Sequence, residues 1–324
     1  MSRPVNANLK PRIDVAVAVV FNPAGQVLWG CRPEGKPYAG YWEFPGGKVE
    51  PDETVWQALV RELKEELDIT ATEGGPWFRI EHDYEHANVR LHLYRVWAFE
   101  GTPKPLEQQA FMWSSLVGNP GLFPILPATE PLLPKLAQPA LMALSNYEAG
   151  FDACANRLEQ ALRRMESRVY VQFREKNLKG EALLRAFEHC NALCQKTGQA
   201  MLLNSSTWLH LQGHLEELPC PLHLTEAHLL SGQFKELLCV GASVHNTSSL
   251  AVAFERGLDY AVLGAVKETA SHPERAAIGW KKFHDMALEA RLPVYAIGGL
   301  GNADLHEARL HGAHGVAMLS RFRA

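Results

Sequence analysis

Glu62, Glu65 and Glu66 stand at positions i, i+3 and i+4, which gathers three carboxylates on one face of a helix turning about 100° per residue. Trp56, Leu59, Leu63 and Leu67 fall on another face, so one side can pack while the other presents acid. Three carboxylates this close repel one another, and a hard divalent cation bound through oxygen relieves the repulsion. A solvated acidic face is the competing reading of the helix taken alone. The preceding segment, Glu43-Phe-Pro-Gly-Gly-Lys48, tips the balance: paired glycines let backbone approach a ligand closely, and Lys48 can meet a phosphate. A cation there would neutralise a diphosphate and lower the pKa of bound water, so that water attacks phosphorus near neutral pH.

The elements that must position these groups can be read in outline. Ile13 to Phe21 is a β-branched run ending at the turn Asn22-Pro-Ala-Gly25, and Gln26 to Trp29 reads as the returning strand of a hairpin. The acidic helix spans about Thr54 to Leu67, and Val89 to Phe99 alternates as a strand should. This first part is α+β. Prolines at 120, 124, 127, 131, 134 and 139, with helical potential between Leu132 and Leu136, mark a domain edge. The expected division is residues 1–133, a linker at 134–139, and a second domain over 140–324.

Beyond Ala140, short apolar strands alternate with amphipathic helices. Candidate strands are Leu141–Leu144, Val169–Phe173, Ala200–Leu203, Leu222–Leu224, Leu237–Val240, Tyr260–Leu263, Val294–Ile297 and Gly315–Leu319. Phe151, Cys154, Ala155, Leu158, Ala161, Leu162 and Met165 form one helical stripe. Eight strands with helical crossovers point to a parallel α/β barrel, with an open doubly wound sheet as the alternative because periodicity does not show closure. Ala324 follows the eighth strand so soon that the groove of a final helix is expected to be covered by the first domain or by a second subunit, as in a homodimer.

Composition sets the outer limits. The 324 residues suit about two domains, and 47% hydrophobic with 21% charged residues is a globular balance that argues against disorder. A formal net charge of -4 disfavours direct nucleic-acid binding, which needs concentrated basic surface, but leaves free nucleotides open. Neither a signal-peptide core nor an apolar run of roughly 20 residues is present, so a cytoplasmic protein without membrane association is expected. Six scattered cysteines do not form a disulfide framework; Cys190 and Cys194, one turn apart beside His189, lack a second ligand pair and read as ordinary thiols.

Gly47, five residues, Glu53, seven residues, and Arg61-Glu-Leu-Lys-Glu-Glu-Leu-Asp-Ile69 resemble the Nudix box, and the first part is identified as a member of the Nudix hydrolases. One position departs, Asp68 where glycine is usual, and Asp tolerates left-handed backbone better than most residues. The resemblance implies that Glu62, Glu65 and Glu66 bind Mg²⁺, or Mn²⁺, that the Gly46 carbonyl joins them, and that Glu53 and Arg61 orient the set. Over residues 12–136 the likeness is to the MutT-like enzymes, which hydrolyse 8-oxo-dGTP to the monophosphate and pyrophosphate and so cleanse the nucleotide pool. In the stretch Gly101 to Leu116 it places Glu107 as a further metal ligand or base, a surface acid being the alternative. It puts Arg32 and Phe44 at substrate-contact positions, although Phe44 equally suits the core. Thr129-Glu130-Pro131 stands where MutT has asparagine before Glu-Pro, and a Thr hydroxyl offers a weaker version of the same base contact.

Val171-Gln-Phe-Arg-Glu-Lys176, Gly241-Ala-Ser-Val-His245, Asp259 to Gly264, Ala296-Ile-Gly-Gly299 and Gly312 to Ser320 together resemble the thiamine phosphate synthase/TenI family from about residue 138 onward. The resemblance implies a TIM barrel that binds phosphate at Gly298, Gly299 and Ser320 and holds a pyrimidine or thiazole phosphate near Gln172, Arg174, Lys176, Asn204 and Ser243. His245, at a strand end, is a candidate acid or base, or a structural histidine. Three departures bear on activity. Ser205 and His228 replace magnesium-binding aspartates of the synthases, and Ala265 replaces the catalytic histidine of TenI. The leading expectation is therefore a MutT-like diphosphatase joined to a phosphate-ligand-binding barrel. The alternatives are hydrolysis of a thiamine-related diphosphate with the barrel as recognition module, and a barrel that serves only as sensor or dimerisation module.

Overall fold

The computed structural model describes residues 11–85, 87–107, 109–115, 120–269 and 276–319. The chain divides into two compact units, Met1–Ala137 and Gln138–Ala324. In the first, β1 (Arg12–Val20), β2 (Val27–Cys31), β3 (Trp42–Glu43) and β4 (Gly46–Lys48) precede helix α1 (Val55–Leu67). Then follow β5 (Thr70–Asp83), β6 (Asn88–Glu100), β7 (Phe111–Ser114) and the single turn α2 (Leu133–Leu136). Two sheets result: a mixed one ordered β4–β1–β6–β5 and a small one ordered β3–β2–β7.

The expected hairpin is reduced to one bridge. Phe21 pairs with Val27 across the Asn22–Gly25 turn, and the strands then part into different sheets. The reason is that both edges of β1 are taken, by β4 and by β6, so β2 has no edge left to join. The segment Glu73-Gly-Gly-Pro76 lies inside β5, where the pairing with β6 shifts register.

Helix α1 buries Ala58, Leu59, Leu63 and Leu67 against Ala16, Ala18, Val20 and Ile69, which turns its carboxylates outward. Thr54 caps its start in a reciprocal pair with Gln57. Asp68 ends it in the left-handed conformation, φ 57°, its carboxylate paired with Lys64 and lying 3.6 Å from Lys104.

In the second unit, strands β8 (Leu141–Leu144), β9 (Tyr170–Phe173), β10 (Ala200–Asn204), β11 (Leu222–Leu224), β12 (Cys239–Val244), β13 (Tyr260–Gly264), β14 (Val294–Ile297) and β15 (Gly315–Met318) form a closed parallel barrel. Closure is made by β15 on β8, with Val316 opposite Leu141, and this excludes the open sheet. The fifth barrel strand starts two residues later than its apolar run suggests and continues through Gly241 to Val244. Helices α3 (Phe151–Arg164), α4 (Gly180–Thr197), α5 (Ser205–Leu211), α6 (Glu226–Ser231), α7 (Thr247–Glu255), α8 (Gly279–Leu288) and α9 (Leu305–Leu310) follow strands in turn. No described helix is long and apolar enough to cross a membrane.

Candidate active site

Arg61 organises the acidic face. Its guanidinium donates to Glu53 at 2.7 Å, to Glu62 at 2.9 Å, to Glu65 at 3.2 Å and to the Lys48 carbonyl at 3.0 Å. These bonds hold the Glu53 carboxyl below the usual carboxylate range, helped by the Glu50 amide. Glu66 stands apart from the guanidinium and accepts from the Gly46 amide at 3.3 Å. Burial pushes its carboxyl up to about 8, with the Glu62 charge adding to the shift and Glu107 and Glu43 contributing less. Glu107 itself is exposed and lies 3.1 Å from Lys36.

Among the described residues, no three His, Cys, Asp or Glu side chains converge into a ready-made coordination set. The expected ligands Glu62 and Glu65 are instead engaged by Arg61. The donor set nevertheless suits a divalent cation on two counts. The charged form of Glu66 has no positive partner among the described residues, and the Gly47 backbone lies close to the Glu62 carboxyl, which would have to shift to admit a Cβ 2.1 Å away.

Beside this face opens a cavity of about 320 Å³ lined by Arg32, Phe44, Gly46, Lys48, Glu66 and Thr129. Arg32 holds Glu43 at 2.7 and 2.8 Å through one nitrogen and caps the Pro37 carbonyl with another. Phe44 serves both readings, since its ring lines the cavity while packing on Trp29 at 4.5 Å. Thr129 is 5% exposed, and its amide donates to the Leu126 carbonyl. Lining residues that sequence reasoning passes over include Glu43, Lys36, Tyr38, Tyr84 and Gln109. Glu43 and Gln109 have a signal in hindsight, each lying within two residues of a named candidate.

The barrel carries a second cavity, of about 510 Å³, lined by Gln172, Arg174, Lys176, Asn204, Ser243, His245, Gly298 and Gly299. Ser320 lies outside the described residues. Gln172 in β9 and Arg174 and Lys176 just beyond its end line the cavity, whereas Glu175 is buried, accepting from the Tyr147 and Glu148 amides and from Ser145. Asn204 is partly committed elsewhere, since its carbonyl oxygen caps α5 at Ser206. Gly298 and Gly299 both sit at positive φ, 110° and 67°.

Two relationships in the barrel are not legible in sequence. His223 is buried between the Tyr260 hydroxyl at 3.1 Å and the Ser243 hydroxyl at 3.0 Å, and burial drives its pKa down to about 3. His245 lies 2.7 Å from Glu226, which also accepts its backbone amide. Ser205 and His228 are hydrogen-bonded to each other at 2.8 Å. Cys190 and Cys194 are buried, as ordinary core thiols would be.

The first unit is a mixed sheet backed by a carboxylate-bearing helix, and it is joined to a closed parallel barrel. The model of the NUDIX domain family matches residues 10–117, and that of thiamine monophosphate synthase matches residues 141–322. The CTP pyrophosphohydrolase of Escherichia coli is 43% identical over 117 residues, 36% of this chain and 86% of that protein. The 8-oxo-dGTP diphosphatase of the same organism is 36% identical over 126 residues, covering 39% and 96%. The thiamine-phosphate synthase of Thermosynechococcus vestitus is 29% identical over 159 residues, covering 48% and 44%. The chain belongs to the Nudix hydrolases through its first unit and to the thiamine monophosphate synthase family through its second.

Proposed function

We propose that the first unit hydrolyses 8-oxo-dGTP and related purine nucleoside triphosphates to the monophosphate and pyrophosphate with Mg²⁺, Mn²⁺ serving in its place. The observation that carries this reading is the juxtaposition of the Arg61-held carboxylates and Glu66 with a cavity walled by Phe44 and closed by buried polar side chains. Glu62, Glu65 and Glu66, with Glu107 from its loop, are the residues that would hold the metal, together with the Gly46 backbone. Such an ion supplies charge neutralisation of the diphosphate and a lowered pKa for attacking water. Arg61 and Glu53 keep the carboxylates in register, Lys48 faces the phosphates, Arg32 fixes the cavity wall, and Phe44 stacks on the base. Thr129 offers the base a hydroxyl that donates and accepts.

The 43% identity to a CTP pyrophosphohydrolase favours a second reading, in which cytidine nucleotides are the substrate. For the barrel, Arg174, Lys176, Ser243 and the Gly298-Gly299 backbone support retention of a phosphate-bearing pyrimidine or thiazole. The Ser205–His228 pair, in place of two carboxylates, supports binding without a magnesium-diphosphate complex. Pyrophosphate release from 8-oxo-dGTP, dGTP, CTP and thiamine-precursor diphosphates decides between these readings. The purine reading expects kcat/KM highest on 8-oxo-dGTP, and a tenfold preference for CTP or for a thiamine compound overturns it.

A further inference from the structure

Most charged side chains around the first cavity are already engaged: Arg32 with Glu43, Lys36 with Glu107, Glu66 with the Gly46 amide. Gln109 differs. It is 8% exposed and lines the cavity, yet among the described residues no hydrogen bond ties its side-chain amide. Its backbone is held firmly. The next residue, Ala110, accepts from the Cys31 amide at 2.8 Å, and β7 then pairs with β2 from Phe111 to Ser114. An amide that lines a cavity without a protein partner is open to pair with a ligand edge, and one carried beside a sheet edge pairs well only with an edge of the right pattern.

That pattern is one donor beside one acceptor. The oxidised guanine edge presents N7–H next to O6 and matches both halves of an amide, whereas intact guanine presents two acceptors there and matches one half. Thr129, buried on the same cavity, accommodates either, because a hydroxyl rotates to donate or accept. We propose that Gln109 reads the base, its amide pairing with a donor–acceptor edge and so favouring 8-oxoguanine over guanine nucleotides. This rests on the nucleotide-hydrolase reading above and names the side chain that sets its specificity.

The test compares kcat/KM for 8-oxo-dGTP and dGTP in the full-length wild type, Gln109→Met and Gln109→Asn at fixed Mg²⁺. Gln109→Met is expected to lose about 10- to 100-fold on 8-oxo-dGTP and less than about threefold on dGTP, the worth of one bidentate base contact. Gln109→Asn, which keeps the amide but shortens its reach, is expected to lose less. An unchanged 8-oxo-dGTP/dGTP ratio in both variants, or an equal fall on both substrates, overturns the assignment. Where thermal unfolding shows that Gln109→Met does not fold, the ratio in Gln109→Asn decides. If the wild type cleaves no nucleoside triphosphate, the hydrolase reading fails by itself. Calorimetric binding of 8-oxo-dGMP against dGMP then tests Gln109 separately, and equal discrimination in wild type and variants overturns its role.

Discussion

Arg61 Nη2 lies 2.7 Å from Glu53 Oε1, and the same guanidinium reaches Glu62 and Glu65. One planar cation thus sets the positions of three carboxylates drawn from a loop and from α1. A lysine has a single ammonium and cannot fork in this way. Arg61→Lys is therefore expected to lower kcat by about 10- to 100-fold, the usual effect of removing a partner behind metal ligands, while the far-ultraviolet spectrum is retained. Steady-state assays across a Mg²⁺ series check this, and wild-type turnover at every concentration would remove Arg61 from the machinery.

Glu65→Gln and Glu66→Gln remove charge but not shape. Each is expected to cut turnover by more than about 100-fold with thermal unfolding near wild type, since the fold depends on the opposite, apolar face of α1. A variant with full turnover would exclude that carboxylate.

The raised pKa of Glu66 has a sign that can be followed. Its folded value of about 8 lies above the ordinary 4.5, so the stability associated with the protonated group is fully present below pH 4.5 and is lost as pH rises toward 8. A cation opposes this by favouring the carboxylate. Mg²⁺ added to EDTA-treated protein at pH 7 should release a proton, and its apparent affinity should rise up to about tenfold per pH unit until pH 8. Calorimetry in buffers of different ionisation enthalpy measures the release. Glu66→Gln should abolish it.

How much of this was open to sequence reasoning depended on whether the deciding contact was local. Helix α1 was legible because Thr54 and Gln57 cap its start and its two faces separate at helical spacing. The barrel strands were legible because both their faces are buried. The fate of β1 and β2 was not, since it depends on β4 and β6 claiming both edges of β1 from 29 to 76 residues away, as in the pairs Val17–Gly46 and Arg12–Asn88. Gln109 and His223 escape for a similar reason: a lone amide or imidazole acquires meaning only from the cavity or the partners that distant strands bring to it.

Asp68 makes the local case testable. Its left-handed φ of 57° is the conformation glycine adopts without strain, and its carboxylate answers Lys64 and Lys104. Asp68→Gly is expected to leave the unfolding temperature close to wild type, because backbone relief offsets the lost surface pairing. Asp68→Val, a β-branched residue forced to positive φ, is expected to lower it clearly. Equal unfolding temperatures for the two variants would show that the helix end does not depend on this conformation.

His223 extends the same logic to the barrel. Burial, and secondarily the nearby Arg174 charge, hold its pKa at about 3 against an ordinary 6.5. The unfolded chain therefore binds a proton below pH 6.5 that the folded barrel refuses, and stability present above pH 6.5 is lost as pH falls toward 3. From these two values the loss at pH 5 relative to pH 8 is about 2 kcal/mol. Gln can still donate and accept between Tyr260 and Ser243 but does not titrate. His223→Gln should thus be less stable than wild type at pH 8 while losing less between pH 8 and pH 5, measured by urea unfolding of the full chain. A wild-type pH dependence in the variant would mean that the acid sensitivity of the barrel arises at another group.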